Sequence, residues 1–208
     1  MVAAQGGGWI DLFNGKNLDG WAQHGGAAKY RIEDGQIIGT TVPGTPNSFL
    51  CTAKPYTNFI LEAEFKVDPG LNSGIQIRSS VSDVETTEVW FGKTIKFAPG
   101  RVHGVQVEID PSERAWTGGL YGEGSIGWFK DLKDNEPARK AFKQGDWNKF
   151  RIEARGEMIR TWLNGVAAAE LKMDTVRTGF IGLQVHAVGK RTEPLEVRFR
   201  NIRLQLLP

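Results

Sequence analysis

Apolar and polar residues alternate with a period of two along several segments of this chain. The alternation is clearest in four segments, residues 59–67, 74–79, 104–110 and 182–186. Successive side chains of a β-strand point to opposite faces of its sheet. Each of these segments therefore predicts a strand with one buried face and one polar face.

Short turn sequences separate the predicted strands. Asn164-Gly165 stands between residues 160–163 and 166–171 and predicts a tight β-hairpin. The other candidate strands are residues 30–33, 36–40, 147–154 and 195–203, and one helix-like stretch lies at 137–142. Many strands and few helices predict an all-β protein, built as a two-sheet antiparallel β-sandwich or jelly roll.

The chain has 208 residues, of which 40% are hydrophobic, and this length suits one domain with a packed core. We predict a flexible lead in residues 1–8 and a single sandwich domain in residues 9–208. The lead contains three consecutive glycines and is typical of a start Met joined to a mature N-terminus. No apolar run approaches the roughly 20 residues that a membrane span requires.

Positive and negative charges are nearly balanced, with 26 basic and 24 acidic residues. The one local excess is the C-terminal alternation of Arg198, Arg200 and Arg203 with apolar residues. This pattern predicts a solvated strand face and argues against nucleic acid as a partner. The lone Cys51 excludes a disulfide within the chain and is typical of a small core residue.

The polar sides of the predicted strands are rich in carboxylates and amides. They carry Glu62, Glu64, Gln76, Arg78, Gln106, Glu108, Asp110, Gln184 and His186. If these strands share one sheet, the side chains form a continuous floor whose carboxylates and amides suit sugar hydroxyls. The segment 114–128 is predicted to form a wall of this cleft, with Trp116 or Tyr121 facing the sugar. The alternative is the ordinary wet face of an antiparallel sheet.

Glu108 and Asp110 form the best pair of acids in the sequence. Residues two apart on a strand lie on the same face, roughly 6.5–7 Å from each other. That spacing suits a base and an acid, or two ligands of a divalent cation such as calcium. The segment from Glu108 to Glu113 also resembles the Glu-x-Asp-x-x-Glu strand of laminarinase-type retaining glycosidases, although Pro111 interrupts a strand. His186 is a candidate proton carrier near neutral pH.

Seven segments resemble motifs of one family and occur in the same order as in that family. They are WIDLFNGKNLDGW at residues 9–21, NSGIQIR at 72–78, TGGLY at 117–121, GDWN at 145–148, LNG at 163–165, GLQVH at 182–186 and FRNIR at 199–203. The chain thus resembles the 3-keto-disaccharide hydrolase family over nearly its whole length. The resemblance implies a jelly roll of the concanavalin A-like lectin and glucanase type. It also implies an exported bacterial protein, periplasmic or extracellular, that acts on glycosides oxidised to a ketone at C3.

The resemblance further implies which residues form the site. The matching positions are Gln76, Arg78, Glu108, Tyr121, Gln184 and His186. The family pattern has Glu before Gln on the central strand, whereas this chain carries Gln106 before Glu108 and Asp110. We predict four catalytic residues, Glu108, His186, Arg78 and Asp110. The predicted substrate-binding residues are Gln76, Gln106, Gln184, Trp116, Tyr121 and Glu64.

The chemistry that the resemblance implies begins at the ketone, because a C3 carbonyl acidifies the proton at C2. A base removes that proton, the enolate forms, and the group at C1 leaves before water adds. This reaction needs a base, a donor to the enolate oxygen and an acid for the leaving oxygen. We expect Glu108 or His186 as the base and Arg78 as the donor. Asp110 is expected as the acid or as a ligand of a divalent cation.

Other functions stay open at this point. The same fold and floor would serve a non-catalytic, lectin-like module, since function does not follow from fold. Glu108 with Glu113 would suit a retaining endoglycosidase, and a merely wet sheet face would suit a structural surface domain. The density of titratable groups favours an enzyme, a glycoside hydrolase or lyase acting on 3-keto sugars. The expected partner is a glycoside or oligosaccharide, and no cofactor is predicted apart from the divalent cation.

Overall fold

The structure, a computed structural model, describes residues 7–208. This part of the chain forms seventeen strands and one short helix. In chain order they are β1 (Trp9–Asp11), β2 (Trp21–Gly25), β3 (Lys29–Glu33), β4 (Gln36–Thr40), β5 (Ser48–Thr52), β6 (Phe59–Val67), β7 (Ser73–Ser80), β8 (Thr86–Trp90), β9 (Lys93–Phe97), β10 (His103–Ile109), β11 (Leu120–Glu123), β12 (Gly127–Lys130), α1 (Glu136–Lys140), β13 (Asn148–Arg155), β14 (Met158–Leu163), β15 (Val166–Lys172), β16 (Phe180–Val185) and β17 (Glu196–Leu206).

Two large antiparallel sheets face each other across the core. The front sheet has the strand order β12-β11-β10-β7-β16-β5-β2. The back sheet has the order β15-β14-β13-β6-β17-β4-β3, with β1 also paired to β17. β8 and β9 form a separate hairpin. Neighbouring strands are often distant in sequence, as in a jelly roll, and the predicted two-sheet β-sandwich is confirmed.

The apolar faces of the two sheets meet in the main core. The six residues that the alternation places there are buried: Ile75, Ile77, Val105, Val107, Leu183 and Val185. The back sheet contributes large aromatic side chains, and the rings of Phe65 and Phe150 lie 4.5 Å apart. Burial of one aliphatic or aromatic side chain of this size stabilises the fold by about 1.5–3 kcal/mol. This packing supports the outer face of the front sheet, where polar side chains stand.

One strand with a polar face belongs to the other sheet. β6 lies in the back sheet between β13 and β17, so Glu62 and Glu64 lie outside the front sheet. Glu64 accepts a hydrogen bond from Arg200 Nε at 2.7 Å, and Glu62 accepts one from Arg203 Nη2 at 2.7 Å. The prediction that Glu64 binds substrate together with the front-sheet residues is therefore wrong. Period two shows which residues share a strand face, but both sheets of a sandwich have this period.

The termini and surface add three smaller findings. Residues 1–6 lie outside the described part of the chain, so only the last two residues of the predicted lead at 1–8 are described. Cys51 is buried, as expected for a core residue. Between residues 7 and 208 no helix is long and apolar enough to cross a membrane.

Candidate active site

The polar face of the front sheet carries a cavity of about 320 Å³. Its lining residues are Asn47, Asn72, Arg101, Gln106, Glu108, Arg114, Tyr121, Glu123, Trp128 and His186. Antiparallel pairing of β10 and β11 sets Gln106 opposite Tyr121 and Gly104 opposite Glu123. Alternate residues of each strand reach the cavity because the others point into the core. The front-sheet strands thus concentrate amides and carboxylates on one face.

Glu108 lies on the floor of the cavity with only 4% of its surface exposed. Its Oε1 accepts a hydrogen bond from Asn72 Nδ2, and its Oε2 accepts one from Gln106 Nε2 at 2.7 Å. Burial raises the pKa of Glu108 to about 7, although both hydrogen bonds favour the charged carboxylate. A carboxyl group with this pKa exchanges its proton near neutral pH, which suits a general base.

A chain of side-chain hydrogen bonds orients Gln106 beside Glu108. Ser79 Oγ donates to Gln76 Oε1 at 2.8 Å, and Gln76 Nε2 donates to Gln106 Oε1 at 2.6 Å. With its oxygen occupied, Gln106 directs its amino group at Glu108. Gly74 makes room for this side chain, because a Cβ there would lie 2.6 Å from Gln106 Cδ. Gln76 is fully buried and lines no part of the cavity, so it orients Gln106 and does not have the predicted substrate contact.

Glu123 is a second buried carboxyl group of the cavity, with 4% of its surface exposed. Its Oε1 accepts a hydrogen bond from Arg101 Nη2 at 2.9 Å, and its Oε2 accepts one from Gln184 Nε2 at 3.3 Å. Burial raises the pKa of Glu123, and the positive charge of Arg101 opposes this rise. The sequence did not predict Glu123, because β11 has only four residues and lies between glycines. Glu123 lies two residues after Tyr121, on the same strand face, and this spacing is the sequence signal from which it could have been predicted.

His186 lines the same cavity, one residue beyond the end of β16. Its Nδ1 lies 2.8 Å from the carbonyl oxygen of Ala187, so Nδ1 carries a proton in this contact and Nε2 is left for a ligand. Gln184 is fully buried and lines no part of the cavity. Its Oε1 has no hydrogen-bond partner among residues 7–208. Gln184 therefore supports Glu123 from beneath the cavity and does not make the predicted contact with substrate.

Tyr121 and Trp128 form the aromatic side of the cavity. Their rings meet edge to face with centroids 5.3 Å apart, and Trp128 meets Trp116 in the same way at 4.8 Å. Trp116 packs against the main core and lines no part of the cavity. The segment 114–128 does lie at the cavity, and Tyr121 is the predicted aromatic residue that reaches it.

Arg78 lies outside the cavity because a bulge turns it away. Its φ is +46°, and the register between β7 and β16 shifts beside it. The buried guanidinium donates to the carbonyl oxygen of Thr57, at 2.9 and 2.6 Å, and to that of Gly156 at 2.8 Å. The prediction that Arg78 stabilises an enolate is therefore wrong. Arg78 joins the front sheet to the connection between β5 and β6 and to the turn between β13 and β14.

Asp110 fixes the loop that follows β10. Its carboxylate accepts hydrogen bonds from Ser112 Oγ at 2.6 Å, Arg114 Nε at 2.8 Å and the backbone N–H of Trp116 at 3.2 Å. Burial acts to raise the pKa of Asp110, but these hydrogen bonds outweigh burial and the pKa is lowered. The predicted roles of acid and cation ligand therefore do not fit Asp110. Glu113, the partner acid of the alternative glycosidase, is exposed on the same loop and lines no part of the cavity.

The described residues contain no group of three or more His, Cys, Asp or Glu side chains that could hold a metal ion. Glu108, Asp110 and Glu123 each direct their oxygens at donors of the protein. The predicted divalent cation therefore finds no cluster of ligands in this part of the chain.

The model of one protein family, the 3-keto-alpha-glucoside-1,2-lyase-like domain, matches residues 8–205. The chain belongs to this family. A relative, the 3-keto-disaccharide hydrolase of Bacteroides thetaiotaomicron, is 25% identical over an alignment of 240 residues, which covers 96% of this chain and 79% of the relative. The family resemblance of the seven sequence motifs is thereby confirmed.

Solved structures share the fold of this family member. A predicted glycosyl hydrolase of Parabacteroides distasonis has a TM-score of 0.66 at 18% identity, covering 97% of this chain and 94% of that one. A carbohydrate-binding module of Bacillus subtilis has a TM-score of 0.58 at 14% identity, covering 88% and 93%. Their likeness shows the fold alone. The family and the Bacteroides relative support a carbohydrate-active, glycosyl hydrolase-like function.

Proposed function

We propose that this protein cleaves glycosides whose sugar carries a ketone at C3, with net hydrolysis of the glycosidic bond. The observation that carries the proposal is Glu108, a buried carboxyl group with a pKa of about 7 on the floor of a polar cavity. The family description and the name of the Bacteroides relative support the same substrate class. The cavity, of about 320 Å³, lies at the lower end of the roughly 300–1,000 Å³ of small-molecule sites, which favours a mono- or disaccharide.

The proposed reaction begins when Glu108 takes the proton from C2. The electron pair of the C2–H bond forms a C2=C3 double bond, and the carbonyl oxygen at C3 becomes an enolate. The enolate then reforms the ketone and a C1=C2 double bond, while the oxygen at C1 leaves with its bonding pair and takes a proton from an acid. Water then adds its hydroxyl to C1 and gives its proton to the deprotonated acid, while Glu108 returns its proton to C2, so both groups regain their starting states. One water is consumed for each glycosidic bond broken.

The other cavity residues supply the remaining parts of this reaction. His186, through Nε2, and Glu123, whose pKa burial raises, are the two candidates for the acid that protonates the leaving oxygen. Tyr121 and Trp128 offer ring surfaces against which a sugar can pack. Asn47 also lines the cavity, where its Oδ1 accepts a hydrogen bond from the backbone N–H of Ala187 at 2.9 Å and keeps one lone pair for a sugar hydroxyl.

Incubation with 3-keto glycosides and with the matched unoxidised glycosides tests the proposal. We expect sugar release from the oxidised substrates alone, because without the ketone the C2 proton is far too weakly acidic to remove. Rapid cleavage of the unoxidised glycosides would favour an ordinary two-carboxylate glycosidase instead. Binding of both substrates without turnover of either would favour a sugar-binding module.

A non-catalytic sugar-binding module is the second candidate, because the fold of a carbohydrate-binding module matches this chain. Such a module needs amides, hydroxyl groups and aromatic rings, all of which the cavity offers. It has no use for a buried carboxyl group that titrates near neutral pH. Glu108 therefore favours the enzyme.

We also propose that the protein is exported to the periplasm or the cell exterior, as the family resemblance implies. Fractionation of the native cells, with an antibody against the protein, tests this location. Recovery from the cytoplasm alone would contradict it.

A further inference from the structure

The enolate oxygen of the proposed reaction needs a donor, and Arg78 does not reach the cavity. Two other guanidinium groups line it, those of Arg101 and Arg114. Arg101 is paired with Glu123 through its Nη2, which lies 2.9 Å from Glu123 Oε1, so one of its two Nη groups is already occupied. Arg114 has a different environment.

The guanidinium of Arg114 contacts protein side chains on one side and borders the cavity on the other. Its Nε donates to Asp110 Oδ2 at 2.8 Å. Its Cζ lies 4.7 Å from the ring centroid of Trp116 and 5.1 Å from that of Trp128. Among residues 7–208 neither Nη group of Arg114 has a hydrogen-bond partner. These N–H donors are thus fixed in direction and free for a ligand.

The residues that contact Arg114 are themselves packed and hydrogen-bonded. Asp110 is 2% exposed and also accepts hydrogen bonds from Ser112 and from the backbone N–H of Trp116. Trp116 packs against the main core and meets Trp128 edge to face. A donor supported in this way does not have to reorganise when negative charge develops in front of it, which is the condition for strong electrostatic stabilisation.

Arg114 also acts on the proposed base. Burial is the largest influence on Glu108 and raises its pKa, whereas the positive charge of Arg114 lowers it. Both side chains line the same cavity. In the substrate, C2 and the oxygen at C3 are only two bonds apart, so a base and a donor that share one cavity can serve both atoms.

We propose that Arg114 binds the carbonyl oxygen at C3 of the substrate and stabilises the enolate through its two Nη groups. Asp110, Trp116 and Trp128 act through Arg114 and are positioning residues. Arg114 gives up no proton in this step, because the C2 proton goes to Glu108 and the displaced electron pair ends on the oxygen that faces Arg114. The inference rests on the proposed function, since only a ketone substrate forms this enolate.

Exchange of the C2 proton in D₂O, followed by NMR, tests the assignment. The probe is a 3-keto sugar with hydrogen in place of the leaving group at C1, so that it reports enolate formation apart from bond cleavage. We expect Arg114→Ala to slow both exchange and cleavage by about 10²–10³, the usual loss for one oxyanion donor. Added guanidinium chloride should restore part of both rates, because the space left by the side chain accepts the free cation.

Two further readouts distinguish catalysis from a structural role. In Arg114→Ala the rising limb of the kcat/KM pH profile should move to higher pH, because a charge that lowers the pKa of Glu108 is lost. An Arg114 whose charge does not reach Glu108, as in a residue that only supports its loop, would leave that limb in place. Asp110→Asn should lower kcat more than it changes KM, and free guanidinium should not restore it, because the side chain of Arg114 still fills its site.

Arg200 provides a matched control. Its Nε donates to Glu64 at 2.7 Å and its Cζ lies 3.8 Å from the ring centroid of Trp147, but on the back sheet. Arg200→Ala therefore loses a comparable set of contacts away from the cavity. We expect this variant to exchange and cleave at the wild-type rates.

Failure of this inference is distinguishable from failure of the proposed function. A wild-type protein that neither exchanges nor cleaves 3-keto sugars would overturn the proposed function. A wild type that does both, with Arg114→Ala as fast as Arg200→Ala, would overturn the role of Arg114 alone. If thermal denaturation shows that Arg114→Ala is unfolded, Arg114→Lys replaces it. Lysine keeps the charge but loses the planar pair of Nη donors, so it should also be slow, and a wild-type rate would again overturn the assignment.

Discussion

Glu108 is subject to two opposing influences. Burial disfavours its charge, while the donors Asn72 and Gln106 favour it, and burial prevails because the pKa rises to about 7. Asp110, two residues later, shows the opposite balance, since its hydrogen bonds outweigh burial and lower its pKa. Glu108 and Asp110, at the end of β10, therefore lose their protons at different pH. Of this pair, Glu108 is the one that exchanges a proton near neutral pH.

Glu108→Gln keeps the shape of the side chain but cannot take up a proton. We expect kcat on 3-keto glycosides to fall by roughly 10²–10⁴, the usual contribution of a general base, with KM little changed. In the wild type, kcat/KM should rise with pH through about 7 as Glu108 loses its proton. His186→Asn is the comparison. If that variant loses the rising limb and Glu108→Gln keeps it, His186 is the base.

The raised pKa of Glu108 also affects stability. Between its ordinary pKa of 4.5 and about 7, the folded protein holds a proton that the unfolded chain releases, so the free energy of unfolding falls as pH rises through this window. Above it the loss is complete and is on the order of 3 kcal/mol. We expect Glu108→Gln to be more stable than the wild type at pH 8 and similar to it at pH 4, in urea denaturation. A more stable wild type at pH 8 would contradict this account.

At the scale of strands, β6 and β10 illustrate what a period-two pattern predicts. Both follow from alternation alone, and β6 has the predicted bounds, Phe59–Val67. Their sheets depend on which strands pair, and Glu62 meets Arg203, a residue 141 positions away along the chain. Local alternation contains no information on such distant pairing. For this reason the alternation pattern could not show that Glu64 belongs to the back sheet.

Bulges, loops and short strands account for the other differences at the site. The bulge at Arg78 interrupts the period, so Arg78 and Gln76 do not share an environment although they are two residues apart. Glu123 lies on a four-residue strand, too short for alternation to show. Arg101 and Arg114 come from loops, where no period relates sequence to position. The sequence therefore predicts the main strands of the front sheet and Glu108, but not the other charged residues of the cavity, Arg101, Arg114 and Glu123.

Gly74→Ala tests whether the orientation of Gln106 matters. A Cβ at this position would lie 2.6 Å from Cγ and Cδ of Gln106, which must then move and lose its hydrogen bond to Glu108. We expect kcat to fall roughly ten- to hundredfold, and the free energy of unfolding to fall by about 0.5–3 kcal/mol. Gly8→Ala is the control, because nothing lies within 4 Å of its Cβ position. If kcat is the same in both variants, the amide chain has no part in turnover.

At the scale of the whole molecule, the outer faces of the two sheets differ in their electrostatics. On the back sheet, burial acts to raise the pKa of Glu62, but Lys149 and Arg203 outweigh it and the pKa is lowered. On the front sheet, burial prevails at Glu108 and Glu123, and both pKa values are raised. The back face therefore carries permanently charged ion pairs. The front face holds acids that can exchange protons, which is why the proposed chemistry is assigned to it.

Arg78 connects these two sheets, and its replacement separates a structural role from a catalytic one. Arg78→Met keeps much of the volume but leaves the carbonyl oxygens of Thr57 and Gly156 without their donor. Hydrogen bonds to a charged group contribute about 1.5–3 kcal/mol each, so the unfolding midpoint should fall markedly. At a temperature where the variant is still folded, kcat on 3-keto glycosides should stay near the wild-type value.

Arg114→Ala should show the reverse, a large loss of rate with little loss of stability, because its guanidinium lies at the cavity and 43% of its side chain is exposed. Thermal denaturation and steady-state kinetics on the same two preparations make the comparison. If Arg78→Met kept the wild-type midpoint and lost its turnover, the enolate donor would be Arg78, as the family resemblance implies. The buried bonds of Arg78 to backbone carbonyls would then have to break during catalysis.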